Sequence, residues 1–465
     1  MIDLVDSCEI RSKNRILEDE AVPKCQYHEI CGRDALEGSG EHLCILHSRN
    51  PDKDKTAFYE ALTEHRKEKG DRFDHFVFPE YANFANIHFT EEANFYFAKF
   101  IGEAKFEDAE FIGDAYFWGA EFTEGANFQY AKFPEGANFR ETTFNKGADF
   151  LETVFIKKAD FANASFTEEA QFRDANFIED ADFENTYFFG DAYFWKVRFN
   201  RGVNFSSAHF TGKVYFNLAK FSGRTLFDFS NEISGVSTQI FSGVEVDFRY
   251  VIIEPLDALT FRDADLKKCR LVGTDLRKAE LVGVTWPKKG GRFRVYDEDA
   301  SVPEGETHPW HHIEHLYRQL KQNYEDRKDY ERAGDFHYGE KEMRRRNPET
   351  SRGLKFWLTL YWLIGGYGER WVRPLLWAVF FLVAFAALYL WLGLQPKNGG
   401  QTLALTNKRD WIEAALYSFR VMIFLKPDDF VPVGLVAKFL NAIQSILGPV
   451  LLGLLALAVR QRLKR

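Results

Sequence analysis

The residues with the clearest chemistry lie near the N-terminus. There "CQYHEICGRDALEGSGEHLCILH" carries Cys25, Cys31, Cys44 and His47. Three thiolates and an imidazole are ligands that zinc accepts, and together they make a closed tetrahedral set with no open position for a substrate. The chemistry expected is structural, a zinc ion tying two stretches of backbone together. Cys44 and His47 form a close half-site, while the gap between Cys25 and Cys31 is wider than usual, and Gly38 and Gly40 let the chain fold back between the two halves. Cys8 and His28 are substitute ligands, and unliganded thiols are the alternative reading.

A second cluster, "HHIEH" from His311 to His315, has the H-x-x-E-H form of one metalloprotease class. No further ligand follows it, and a solvated helix start accounts for it. The chain shows no P-loop, no G-x-S-x-G and no dinucleotide fingerprint, so it is not expected to be an enzyme. Its net charge of -9 argues against general nucleic-acid binding. The first twenty residues are charged throughout and lack an apolar run, so no secretory signal is expected. A reducing compartment follows, in which cysteines are ligands or core residues before they are disulfides.

The elements that must position these residues are repetitive. Phe recurs from Phe84 to Phe227 at alternating steps of five and six, a true period of eleven. Two residues before each Phe stands Ala or another small or β-branched residue. Side chains two apart share a face of an extended segment, and Gly, Asn, Asp and Pro at fixed points of the unit disfavour helix. The pattern predicts a β-solenoid over 76–286, with two elevens per coil. Phe95, Phe100, Phe106, Phe128, Phe133 and Phe139 are expected in its stacked core. From Phe261 the step becomes a pure five, through Leu266, Leu271, Leu276 and Leu281 to Trp286, and Cys269 should point inward.

The form A-(D/N)-L-x-x in "DADLKKCRLVGTDLRKAEL" resembles the pentapeptide-repeat family. The resemblance implies a mainly β fold, a right-handed quadrilateral β-helix, and a possible protein partner on the solenoid. Some relatives are acidic DNA mimics that bind topoisomerase, a minor alternative here because Lys157, Lys158, Arg173, Lys196, Arg198 and Arg201 interrupt the acidic face. A solvating surface is the default.

Beyond the solenoid, a polar linker at 287–308 precedes an αα-hairpin at 309–347, with apolar residues at Ile313, Leu316, Leu320 and Tyr324. A membrane module is expected over 353–465. Uncharged stretches near 374–394 and 440–459 are each about 20 residues, enough to span a bilayer. Basic residues precede the first and follow the second, so both termini should face the cytoplasm. An inner-membrane protein of the bacterial type with two spans is the expected setting, and lipid is the expected partner.

Between the spans a re-entrant-like segment is expected at about 410–432. The order of span, short amphipathic helix, loop and span resembles the pore module of the potassium-channel superfamily, on "ALYSF" at 415–419, Pro432 and the glycine-bearing second span. That resemblance implies a homo-oligomer, a tetramer if it is a pore. The stretch in the filter's place, "RVMIFLKPDDFVPV", has no glycine, which departs from a carbonyl-lined potassium filter. The expected function is a channel-like oligomeric pore with the solenoid as its cytoplasmic scaffold, Asp428 and Asp429 at its mouth and Asn441, Gln444, Ser445 and Gly448 along its wall. The rival expectation is a non-conducting, membrane-tethered interaction scaffold, in which the same polar stripe packs helices together.

Overall fold

The computed structural model describes residues 23–36, 42–229, 239–301, 308–425 and 429–463. Cys8, Gly38, Gly40, Lys426 and Asp428 lie outside the described residues. The chain divides into two compact units, Met1–Gly190 and Asp191–Arg465. Both carry coils of a parallel β-solenoid, about nine turns among the described residues.

In the first unit, two-residue strands pair in parallel with strands twenty-two positions away, as Ala104 does with Ala126 and Ala126 with Ala148. Four such stacks begin at Val77–Phe78, Ala82–Asn83, His88–Phe89 and Ala93–Asn94. One coil therefore takes two elevens. The inward Ala and Phe are buried, among them Phe95, Phe100, Phe106, Phe128, Phe133 and Phe139. Along the axis the rings lie flat on one another: Phe117 and Phe139 have centroids 4.8 Å apart and parallel planes, at 0°. Across the axis they meet edge to face, as Phe128 and Phe139 do at 5.4 Å and 90°. Both arrangements suit the ring quadrupole.

The polar residue after each inward Ala shapes the corner. Asn127 Oδ1 accepts from the Gln129 N–H at 2.9 Å, and Asn138 and Asp149 do the same two residues onward. These turns prefer Asn and Asp because their short side chains bond back to nearby backbone. Each turn leads to a residue in the left-handed region, recurring every eleven positions: Phe97, Asp108, Gly119, Tyr130 and Glu141 have φ between 50° and 66°. A non-glycine residue there costs roughly 1–2 kcal/mol. Its N–H bonds to the next coil in return, Tyr130 to the Leu151 carbonyl at 2.9 Å and Glu141 to that of Ala162 at 3.0 Å. The six-residue steps carry their extra residue in a bend such as Pro134–Glu135. At one such link a Cβ on Gly113 would stand 2.7 Å from the Glu91 backbone, so only glycine fits.

The start of this solenoid is covered. Helices α1 (His28–Cys31) and α2 (Lys55–Lys69) precede it. Asp54 caps α2 by accepting from the Ala57 N–H at 3.1 Å. Phe58 of α2 is fully buried and meets Phe78 edge-on at 5.7 Å. The Val77 N–H donates to the Leu46 carbonyl. An open first coil would expose both a ring column and a strand edge, a surface for unwanted pairing.

In the second unit the repeat shortens. Phe227 pairs with Phe261 across an insertion, and Phe261 then pairs with Leu281, twenty residues on, which is four fives per coil. Leu266, Cys269, Leu271 and Leu276 are completely buried. Helices α3 (Trp310–Asp326) and α4 (Tyr330–Arg346) form a hairpin against the last coil. Asn323 donates its side-chain amide to the Leu276, Arg277 and Ala279 carbonyls at 2.7, 3.2 and 2.8 Å. Arg327 donates to the Ala279 carbonyl, while Asp297 accepts from the Leu271 N–H. Trp286 is buried, with its indole N–H on the Tyr324 hydroxyl.

Asn323→Leu keeps the volume and removes three of these bonds. It is expected to lower the opening free energy of the last coil by about 2–4 kcal/mol, because buried carbonyls lose their donors. Hydrogen exchange at residues 276–281 measures it; unchanged protection would show that the cap does not hold this edge.

Four more helices follow: α5 (Arg352–Gly365), α6 (Val372–Leu392), α7 (Lys408–Met422) and α8 (Gly434–Leu463). Residues 394–396 and 430–432 join as a short antiparallel pair. Helix α6 and residues 434–460 of α8 are long and apolar enough to cross a membrane.

Candidate functional site

Backbone folding brings the four expected ligands together. The short helix α1 ends at Gly32 in the left-handed conformation, and a bridge between Lys24 and Asp34 closes the loop that presents Cys25 and Cys31. Cys44 and His47 come from the turn after 42, and all four residues are buried. Their ligand atoms lie within 4.8 Å of one another. Cys44 Sγ is 3.7 Å from Cys31 Sγ and 3.2 Å from His47 Nδ1, and Cys25 Sγ is 3.6 Å from His47 Nδ1. Two sulfurs each about 2.3 Å from a tetrahedral zinc would be about 3.8 Å apart. The observed edges fit such an ion.

The surroundings support ligation. His47 Nε2–H donates to the Asp74 carbonyl at 3.1 Å, which leaves Nδ1 with its lone pair toward the sulfurs. The Cys44 N–H donates to Cys25 Sγ at 3.3 Å. Cys44 also hydrogen-bonds Cys31, and this contact draws the Cys31 thiol down and, with burial, pushes that of Cys44 up. Tyr27 stacks on His47, and Phe76 meets the imidazole edge-on. The ammonium of Lys53 is buried nearby and donates to the Ile45, Ser48 and Val77 carbonyls. Burial pulls it down to about 7, with the charge of Cys44 opposing. The cluster is a buried Cys3His set able to hold a metal ion, bonded through Asp74 to the start of the solenoid.

His28 is not part of it, since its Nδ1 is 2.9 Å from the Arg33 carbonyl oxygen. The "HHIEH" residues do not converge: His311 and His315 are exposed, and Glu314 pairs with Arg318 at 2.9 Å.

The polar residues among the C-terminal helices are engaged by neighbouring helices. Gln444 is buried, its amide nitrogen donating to the Ser418 carbonyl and hydroxyl at 3.0 and 2.6 Å, its oxygen accepting from the Tyr389 hydroxyl at 2.8 Å. Asn441 accepts longer bonds from Tyr389 and Tyr417. A Cβ on Gly448 would lie 2.5 Å from the Met422 carbonyl oxygen, so glycine allows the end of α7 to approach α8. Ser445 bonds the Ala442 carbonyl of its own helix. Asp429 pairs with Arg420 at 2.6 Å on an exposed surface.

Sequence reading missed two groups. The corner Asn and Asp residues were visible as a repeat, in the position after each inward Ala. Asn323 and Asp297 gave no such signal, because their partners lie far away in sequence.

Models of pentapeptide repeats match residues 84–132, 119–154, 128–170 and 161–209, and a second such model matches residues 258–285. No curated protein and no solved structure matches the chain significantly. The class defined by the fold is thus a β-solenoid. The chain contains pentapeptide repeats, in an eleven-residue form early and in plain fives at the end of the coil.

Proposed function

We propose that the chain is a membrane-anchored scaffold that holds a capped pentapeptide-repeat solenoid at the cytoplasmic face of a bilayer. Helices α6 and α8 cross the membrane, α7 packs between them, and both termini lie on the solenoid's side. The observation that carries this reading is Gln444, whose polar groups meet Ser418 and Tyr389 inside one subunit. Polar side chains in a span are costly unless they face protein or water, and here protein suffices. The solenoid serves as a docking surface for a protein partner, and the Cys3His set holds a structural zinc.

Alkaline extraction should leave the chain in the membrane fraction, with a cysteine introduced at Asn398 labelled from the side opposite one introduced at Lys157. A monomer in mild detergent with no bilayer current supports the anchor. Gln444→Leu should lower thermal stability in detergent by about 1 kcal/mol without releasing the chain from membranes.

An oligomeric pore is the second reading. It is favoured by the order of long, short and long helices and by the bulky apolar surface of α8, where Leu435, Phe439 and Ile446 are exposed. A tetramer carrying current that falls in Asp429→Asn would replace the anchor with the pore.

A further inference from the structure

A cavity of about 300 Å³ opens where the solenoid's helical cap meets α5 and α6. Lys289, Arg292, Arg294, Arg346, Arg370 and Arg373 line it, with Asp299 and Glu342 the carboxylates among them. Two further carboxylates neutralise this wall from behind, Glu298 on Arg292 and Arg294, and Asp335 on Arg370. Six cations therefore face four carboxylates. Arg292 is buried, and its Nη1 has no hydrogen-bond partner among the described residues. Lys289 stands at the rim with its side chain 71% exposed.

A second cavity, of about 430 Å³, adjoins the first and is apolar: Leu363, Leu376, Trp377 and Phe380 line it. The two share Trp362 and Arg373. The Arg373 guanidinium lies over the Trp362 ring at 5.0 Å and donates to the Trp362 carbonyl at 2.7 Å. Trp377 fastens the same pair of helices through its indole N–H on the Leu363 carbonyl. Arg373 belongs to the first turn of α6, the level at which a span meets lipid headgroups.

We propose that the two cavities form one site for an anionic glycerophospholipid. The phosphate and its negatively charged headgroup occupy the arginine-lined cavity, and an acyl chain lies across Leu376, Trp377 and Phe380. Guanidinium groups match phosphate with paired donors, and the excess of cations disfavours a headgroup that carries its own ammonium. A bound lipid would offset the unbalanced charge and join the solenoid cap to the leaflet. This inference rests on the membrane reading of α6.

The test uses the full chain in phosphatidylcholine nanodiscs doped with phosphatidylglycerol or phosphatidylcholine brominated on the acyl chains. The signal is the tryptophan quenching lost in Trp362→Phe. Brominated phosphatidylglycerol is expected to quench at a lower mole fraction than brominated phosphatidylcholine. Lys289→Gln and Arg373→Gln are each expected to raise the half-quenching fraction about fivefold, from about 1 kcal/mol per cation at a lipid surface. The exposed Lys289 keeps the test open should Arg373→Gln disturb the packing of Trp362. Inorganic phosphate at millimolar concentration should leave the curves unmoved; if it abolishes the preference, the site takes free phosphate and the lipid assignment falls. Equal quenching by both lipids, or curves unchanged in both variants, overturns the proposal while leaving the membrane anchor standing. A chain whose tryptophans are quenched by neither lipid and which separates from the discs overturns both.

Discussion

Cys44→Ser is expected to leave the purified chain without bound metal and to strip hydrogen-exchange protection from the first solenoid coil. Cys44 Sγ touches both Cys31 Sγ and His47 Nδ1, so its loss removes one ligand and one of the contacts between the two halves of the site. Structural zinc in small domains carries apparent binding free energies of about 10–16 kcal/mol at neutral pH, largely expressed as folding. Here the consequence should reach Val77, whose N–H is held by the Leu46 carbonyl, and Phe76, which rests against His47. Metal analysis of the full chain should find zinc at one ion per Cys3His cluster, and exchange at residues 73–78 should quicken in the variant. The metal should also leave more readily as pH falls, because protons compete for the thiolates and the imidazole. Undiminished zinc in Cys44→Ser, or none in the parent chain, would refute the assignment.

Phe139→Ala should be among the most damaging single changes in the solenoid core. The ring lies flat between Phe117 and Phe161 at 4.8 Å from each and receives edges from Phe128 and Phe150 at 5.4 and 5.5 Å. Truncating a buried Phe to Ala costs about 3–5 kcal/mol, and the paired rings add about 0.5–1.5 kcal/mol for each contact. Because each coil contacts only its neighbours, the loss should be concentrated in the coils directly above and below. Hydrogen exchange on the amides of residues 115–117 and 159–161 reads this out. Ile112→Ala, at an exposed corner position, should stay within about 0.5 kcal/mol of the parent. Equal effects of the two substitutions would show that the ring column is not what holds the coils together.

The solenoid was legible because its period is written in one residue type. Phe at five and six forces two elevens per coil once Phe must stack on Phe, and the observed pairing of Ala104 with Ala126 is that arithmetic in space. The four residues of the Cys3His cluster were legible by type, since three thiols and an imidazole so close in sequence make a familiar metal-ligand pattern. The caps were not. The polar residues of α3 that grip the last coil sit beside its core positions, and nothing local says that the Asn323 amide meets carbonyls more than forty residues earlier. Helix α5 went unanticipated because its exposed Phe356 and Trp357 blend into the apolar composition of the long helices that follow. The stripe of Asn441, Gln444 and Gly448 was visible as spacing, but its direction depends on Ser418 and Met422 of another helix. Spacing within one helix cannot say which neighbour it faces.

The flat stacking of the rings has a consequence for how such a chain changes length. Centroids along the columns of the first unit repeat at 4.6–5.0 Å, which is close to the roughly 4.7–4.9 Å between hydrogen-bonded strands. Side-chain and backbone ladders thus share one step and accumulate no mismatch. A duplicated block of twenty-two residues would insert as a whole coil, finding the same ring below and offering the same ring above. Growth of this stack is quantised at about one strand spacing, and a coil can be added without redesign of either end.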